Sequence, residues 1–292
     1  MTLRIANAPF GQQGFAFQPA YLDALASSFG AGLRLVDYKA DPEAARKTIN
    51  AWVSDQTEKR IPELIGEGVL DNSSRLTLVN AIYLKAAWAH RFGDAASTPK
   101  APFTRADGST VSVPMMRGGG ELHFASGSGW QAVELPYVGD QLAMDIILPK
   151  DAAAFGASLD SKAWDAIVKA LAEHPVDLSL PRFSTETKTD LASTLSAMGM
   201  PDAFTGKADF TGITTEEPIQ IAAVIHQANI DVDENGTTAA AATAVLMEAG
   251  AAAPSGTPVT LVVDHPFLFA IRDRTTGAIL FMGRIGDPSA GK

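Results

Sequence analysis

Glu234-Asn-Gly-Thr-Thr-Ala-Ala-Ala-Ala-Thr-Ala-Val-Leu-Met-Glu-Ala-Gly250 runs on through Ala251-Ala-Ala-Pro-Ser-Gly-Thr-Pro258. It starts where a strand-like run, Ile219 to Asp233, ends in an acidic turn, and it closes in small residues and turn formers before Val259-Thr-Leu-Val-Val263. The alanines alone would favour a helix. The flanks point elsewhere: a Gly-Thr-Thr opening, β-branched Thr243 and Val245, and an exit rich in glycine and proline. Read with a period of two, one set is Thr237, Ala239, Ala241, Thr243, Val245 and Met247, uncharged throughout and small at its start. The segment reads as an exposed loop that is also fit to become a strand inside a sheet.

Glu-x-Gly-Thr-x-Ala-Ala-Ala-x-Thr, from Glu234 to Thr243, resembles the hinge of inhibitory serpins. Leu261-Val-Val-Asp-His-Pro-Phe-Leu-Phe-Ala-Ile271 followed by Phe281-Met-Gly-Arg284 resembles the family's C-terminal signature. Leu76-Thr-Leu-Val-Asn-Ala-Ile-Tyr-Leu-Lys-Ala-Ala-Trp88 looks like the strand that enters its shutter and breach regions. The resemblance covers essentially the whole chain. It implies an α+β serpin fold, with a large mixed and antiparallel sheet A, sheets B and C, surrounding helices and an exposed reactive-centre loop at about 234–258, all in one domain over 1–292. The likeness is to an inhibitory, bacterial-type member. It begins in the middle of the family's usual chain, at what looks like a strand of the main sheet, so an N-terminally truncated form without the usual first helices is expected.

Carried over residue by residue, the resemblance makes Glu234, Gly236, Thr237, Ala239, Ala240, Ala241 and Thr243 the hinge, Asn80 and His226 the shutter pair, and Trp88 a breach residue. It implies an inhibitor that acts as a suicide substrate. A serine protease cuts the loop and forms an acyl-enzyme, and the cut loop then inserts into the main sheet. The family's spacing counted forward from Glu234 places the reactive bond at Gly250–Ala251, whereas counting back from Pro266 lands near Ser255. Small residues there suit an elastase- or subtilisin-like protease, Leu246 and Met247 a chymotrypsin-like one, and Glu248 a glutamate-specific one. No basic residue lies between Gly236 and Asp264, which argues against a trypsin-like target. Loop–sheet polymers are a further expected partner state. The alternatives are a non-inhibitory or inactive truncated serpin serving as a protease substrate or binding protein, and an unrelated α and β enzyme.

Read without the family, the constellations are bland. His90, His123, His174, His226 and His265 lack metal-ligand spacing, and no Gly-x-Ser-x-Gly elbow or phosphate-binding glycine loop is present, so no catalytic residue, metal or cofactor is expected. His226 shares one strand face with Val224, Ala228, Ile230 and Val232, so its ring needs a hydrogen-bond partner. Asp231, Asp233 and Glu234 read as a solvated strand end with Glu234 anchoring the hinge, and Trp88 as a core residue. The tripeptides Asn72-Ser-Ser74 and Asn235-Gly-Thr237 match a glycosylation sequon and receive no role.

The 292 residues are 46% hydrophobic and 19% charged, enough for a large core and inconsistent with disorder. A formal charge of −10, from 23 basic and 33 acidic residues, does not suit nucleic acid or an anionic membrane. The absence of cysteine leaves the redox compartment open, and no apolar run approaches the ~20 residues of a membrane span. The first residues carry no leader pattern; an upstream segment would make the secreted or periplasmic space the expected location.

Along the chain, strands are expected at Leu3 to Phe10 and Leu33 to Tyr38, with helices at Pro19 to Phe29 and from an Asp41 cap to about Lys59. Leu76 to Leu84 reads as a strand buried on both faces. Turns are expected at Ala106-Asp-Gly108, Gly118-Gly-Gly120, Ser126-Gly-Ser-Gly129 and Val138-Gly-Asp140, with a meander from Gln131 to Leu148. A helical region follows over Leu159 to Glu173, then a strand at Val176 to Phe183 and a short helix from Leu191 to Met198. Ile219 to Val232 reads as one long strand, and Val259 to Val263, Pro266 to Arg272 and Ala278 to Ile285 close the chain as strands.

Overall fold

The computed structural model describes residues 1–30, 32–221, 223–237 and 257–290. Its strands and α-helices follow the order β1 (Thr2–Gln12), α1 (Pro19–Phe29), β2 (Arg34–Val36), α2 (Pro42–Gln56), β3 (Leu76–Ala87), β4 (Lys100–Thr104), β5 (Thr110–Gly127), β6 (Trp130–Pro136), β7 (Leu142–Pro149), α3 (Ala152–Ser158), α4 (Ser161–Ala170), β8 (Ala172–Pro181), β9 (Phe183–Asp190), α5 (Ala192–Ala197), β10 (Ile225–Asp233), β11 (Gly236–Thr237), β12 (Val259–Val262), β13 (Phe267–Asp273) and β14 (Ile279–Ile285). Two sheets result. Hydrogen bonding runs β2-β1-β3-β11-β10-β9 in the first, with β10 also pairing β3 directly, and β12-β8-β5-β6-β7-β13-β14 in the second, with β4 on β5. The chain divides into two compact units.

One unit comprises Leu3–Tyr83 and Glu186–Asn229. Pro42 opens α2 and the Asp41 carboxylate accepts the Ala44 N–H at 2.9 Å, as the capping pattern predicts. The helix stops at Gln56, short of Lys59, because the Thr57 hydroxyl takes the Val53 carbonyl and Glu58 and Lys59 turn to positive φ. Its inner face, Ala45, Ile49 and Val53, packs into a core with Phe10, Tyr38, Leu64 and Val79. Each fully buried aliphatic side chain there contributes about 1.5–3 kcal/mol. Arg46 is only 7% exposed, and Glu43, Glu63 and the Ile65 carbonyl satisfy its guanidinium.

The other unit comprises Met1–Thr2, Leu84–Thr185 and Ile230–Lys292, and contains the second sheet. The predicted meander is present, with β6 and β7 antiparallel from Trp130↔Pro149 to Pro136↔Ala143. Every residue of β7 is buried, and Asp145 among them faces Glu134 directly across the ladder. Two carboxylates so placed repel. Arg272 of β13 resolves the conflict, since its Nε donates to Asp145 Oδ2 at 2.6 Å and its Nη2 donates to Glu134. Arg274 completes the cluster, with Nη2 3.0 Å from Glu134 Oε1.

Several expectations are corrected. The Gly118-Gly-Gly120 run is not a turn but lies inside the 18-residue β5, where a Cβ on Gly119 would come within 2.2 Å of the Val176 carbonyl oxygen. Close approach of β8, not reversal of the chain, requires glycine there. The helical region expected over Leu159 to Glu173 is α4, Ser161–Ala170, and Glu173 already belongs to β8. On β3 only one face is buried at its start, since Thr77, Val79, Ala81 and Tyr83 are buried while Leu78 is 43% exposed. The long strand expected from Ile219 begins only at Ile225.

Candidate functional site at the root of the loop

The loop segment leaves β10 through a two-residue turn, Glu234-Asn235, into the two-residue strand β11. β11 runs antiparallel to both neighbours, with Asp233↔Gly236 and Val232↔Thr237 on β10 and Gly236↔Ala87 and Thr237↔Ala86 on β3. Gly236 has φ +148°, and a Cβ there would lie 2.0 Å from the Ala86 carbonyl oxygen, so glycine alone fits. Thr237 is 1% exposed, and its hydroxyl hydrogen-bonds the Tyr137 hydroxyl. Tyr137 stacks on Trp88 with ring centroids 4.7 Å apart, and burial pushes its phenol far above the ordinary range. The Trp88 indole N–H donates to the Asp233 carbonyl at 2.8 Å, and the Trp88 amide to the Asn235 carbonyl at 3.1 Å.

Glu234 departs from the sequence reading. It is not part of a solvated strand end, being 3% exposed. Both carboxylate oxygens accept from Arg182 Nε at 2.8 Å, and Thr98 donates to Oε1. Arg182 also donates to the Ala95 carbonyl at 2.7 Å, which ties the ion pair to the chain beside β4. Burial works to raise the Glu234 carboxyl, yet the hydrogen bonds from Arg182 and Thr98 outweigh it and hold it below its ordinary value. A depressed pKa stabilises the fold fully above the ordinary carboxylate range, and that contribution is lost as pH falls through the folded value. Thermal unfolding followed from neutral to acid pH is therefore expected to lose stability less steeply in Glu234→Gln than in the parent. Equal slopes would show that this carboxylate does not carry the acid sensitivity.

The second site lies where β3 and β10 pair directly and in parallel, from Ile225↔Val79 to Ala228↔Ile82. His226 stands opposite Asn80, with His226 Nδ1 2.9 Å from Asn80 Oδ1. The histidine thus has the partner its setting demands, but the uniform apolar face expected around it is absent. His226 and Ala228 are half-buried, whereas Gln227, Ile230 and Val232 are buried, so the inward face changes along the strand.

Glu234, Gly236, Thr237 and Trp88 thus come together at the first site, and Asn80 with His226 at the second. Ala239, Ala240, Ala241, Thr243 and the bond Gly250–Ala251 lie outside the described residues. Sequence reading missed Arg182, Thr98 and Tyr137. Arg182 is 52 residues from Glu234 and Thr98 is 136, so no local spacing points to either. Among the described residues no group of three or more His, Cys, Asp or Glu is arranged to hold a metal ion.

These observations define the class by its fold: an α and β protein whose mixed sheet pairs the start of a small-residue segment, β11, with both β3 and β10. The comparisons with known proteins agree with that class. Residues 1–288 match the family model of serpins, described as serine protease inhibitors. Human serpin B3 is 38% identical over 98% of this chain and 74% of its own length, and the bovine leukocyte elastase inhibitor 37% over 98% and 78%. An uncharacterized serpin-like protein of Thermococcus kodakarensis is 39% identical over 99% of this chain and 67% of its own. Native protease nexin-1, solved with heparin, superposes with a TM-score of 0.85 at 32% identity over 98% of this chain and 77% of that one, and uncleaved ovalbumin with 0.86 at 26% over 98% and 74%. The chain belongs to the serpin family, a family of serine protease inhibitors and not of catalysts.

Proposed function

We propose that the protein inhibits an elastase- or subtilisin-like serine protease as a suicide substrate, with residues 234–258 as the reactive-centre loop of a single domain and Gly250–Ala251 as the bond attacked. The observation that carries this reading is β11, one rung of antiparallel strand already seated between β3 and β10. From Ile225↔Val79 to Ala228↔Ile82, β3 and β10 pair directly with each other, in parallel, with no strand between them. An inserting strand replaces each weaker parallel rung by two antiparallel ones. Each added hydrogen bond is worth about 1 kcal/mol net, so uptake of the loop runs downhill once cleavage frees one end.

In this scheme Trp88, Tyr137 and the Arg182–Glu234 ion pair hold the first rung, and Asn80–His226 ties β3 to β10 where they pair directly. Gly236, Thr237, Ala239, Ala240, Ala241 and Thr243 are small enough to follow one another in. The same gap accepts the loop of a second molecule, which would produce loop–sheet polymers. The test is titration with pancreatic elastase, subtilisin and chymotrypsin, read on a denaturing gel with mass spectrometry of the released peptide. A protease–inhibitor band that survives boiling, with a new terminus at Ala251, is expected. Complete loop cleavage that leaves the protease fully active would defeat the proposal.

A further inference from the structure

We propose that Asn235 is a site of spontaneous deamidation, and that the hairpin at the loop root sets its rate. Of the asparagines Asn7, Asn50, Asn72, Asn80, Asn229 and Asn235, only Asn235 precedes a glycine. Deamidation needs the next backbone nitrogen to reach the side-chain carbonyl, and a residue without Cβ leaves that approach open. Asn235 is half-buried, and among the described residues its carboxamide has no hydrogen-bond partner.

Its main chain, by contrast, is held. The Asn235 N–H donates to Asp233 Oδ1 at 2.7 Å, its carbonyl accepts from Trp88, and Gly236 is paired on both sides. Ring closure requires the Gly236 nitrogen to swing towards Asn235 Cγ, so it proceeds in molecules whose β11 rung has opened. The Gly236 nitrogen bonds to Asn235 Cγ and gives up its proton, and the carboxamide nitrogen leaves as ammonia. Water then opens the succinimide at either carbonyl, yielding aspartate or isoaspartate; nothing is oxidised or reduced.

Either product places a carboxylate between Asp233 and Gly236, next to Glu234. Isoaspartate also threads the main chain through the former side chain. The added backbone atom falls inside the turn that sets Val232 against Thr237 and Asp233 against Gly236, so this register fails. The modification stands on local chemistry alone. Its consequence, a hinge that no longer seats and an inhibitor that becomes a substrate, rests on the function proposed above.

The full chain is incubated in mildly alkaline buffer, folded and in urea, and sampled by peptide mass mapping and an isoaspartate assay. The Asn235 peptide is expected to gain the amide-to-acid mass before that of Asn72, which is exposed and followed by serine. The gain should be faster in urea, absent in Asn235→Gln, and matched by a loss of protease trapping that Asn235→Asp shows from the start. An Asn235 that stays intact while Asn72 reacts overturns the site, and equal rates folded and in urea overturn control by the hairpin. Modified protein that traps protease as well as fresh protein overturns the switch. If fresh protein traps no protease, the function proposed above fails, while the mass data still decide the modification.

Discussion

Thr237→Arg is expected to convert the protein from inhibitor to substrate, with the loop cut at the same bond and the protease released active. Thr237 is 1% exposed, between the backbones of β3 and β10 and against the Tyr137 hydroxyl. Arginine at this position would bury an unpaired charge, at several kcal/mol, and would leave the Tyr137 hydroxyl without its partner. A barrier raised by only about 1.4 kcal/mol slows insertion tenfold, while deacylation of the protease proceeds at its own pace. The moles of inhibitor consumed per mole of protease trapped should therefore rise about tenfold or more. Thr237→Ser keeps a small side chain and a hydroxyl and should leave this ratio near the parent value. An unchanged ratio in Thr237→Arg would remove Thr237 from the insertion path.

Away from the loop, the largest stability effect is expected at Arg272. Its guanidinium is 5% exposed and separates two carboxylates, Glu134 and Asp145, that face each other across β6 and β7. Burial already pushes the Asp145 carboxyl up to about 6 against the opposing pull of Arg272. Arg272→Leu leaves both carboxylates without their shared cation and should cost about 3–5 kcal/mol. Adding Asp145→Leu removes the stranded charge, while Glu134 keeps Arg274, so most of that loss should return. Denaturant midpoints of the two variants decide it. A double variant no more stable than Arg272→Leu would mean that the ion cluster is not what fails.

Local signals were enough for much of the architecture. The Asp41 cap of α2 and the strands that close the chain, β12 to β14, rest on residues that are neighbours in sequence and appear where the sequence places them. The hinge pattern and the C-terminal signature point to the family before any coordinates do. Signals that also serve other ends misled: Gly118-Gly-Gly120 reads as a turn because glycine permits reversal, but close strand approach demands glycine equally.

The sequence by itself determined the family and most of the elements, because caps, periods and turns are properties of neighbouring residues. Only the tertiary structure decided who meets whom: Arg182 and Thr98 on Glu234, Tyr137 on Thr237, Asn80 on His226, Arg272 between Glu134 and Asp145. Those pairings depend on strand order and register. A slip of one residue turns every side chain of a strand to its other face, so partners 50 to 150 residues apart, at separations such as 52, 100, 127 and 146, are fixed by the sheet and not by their spacing in the chain.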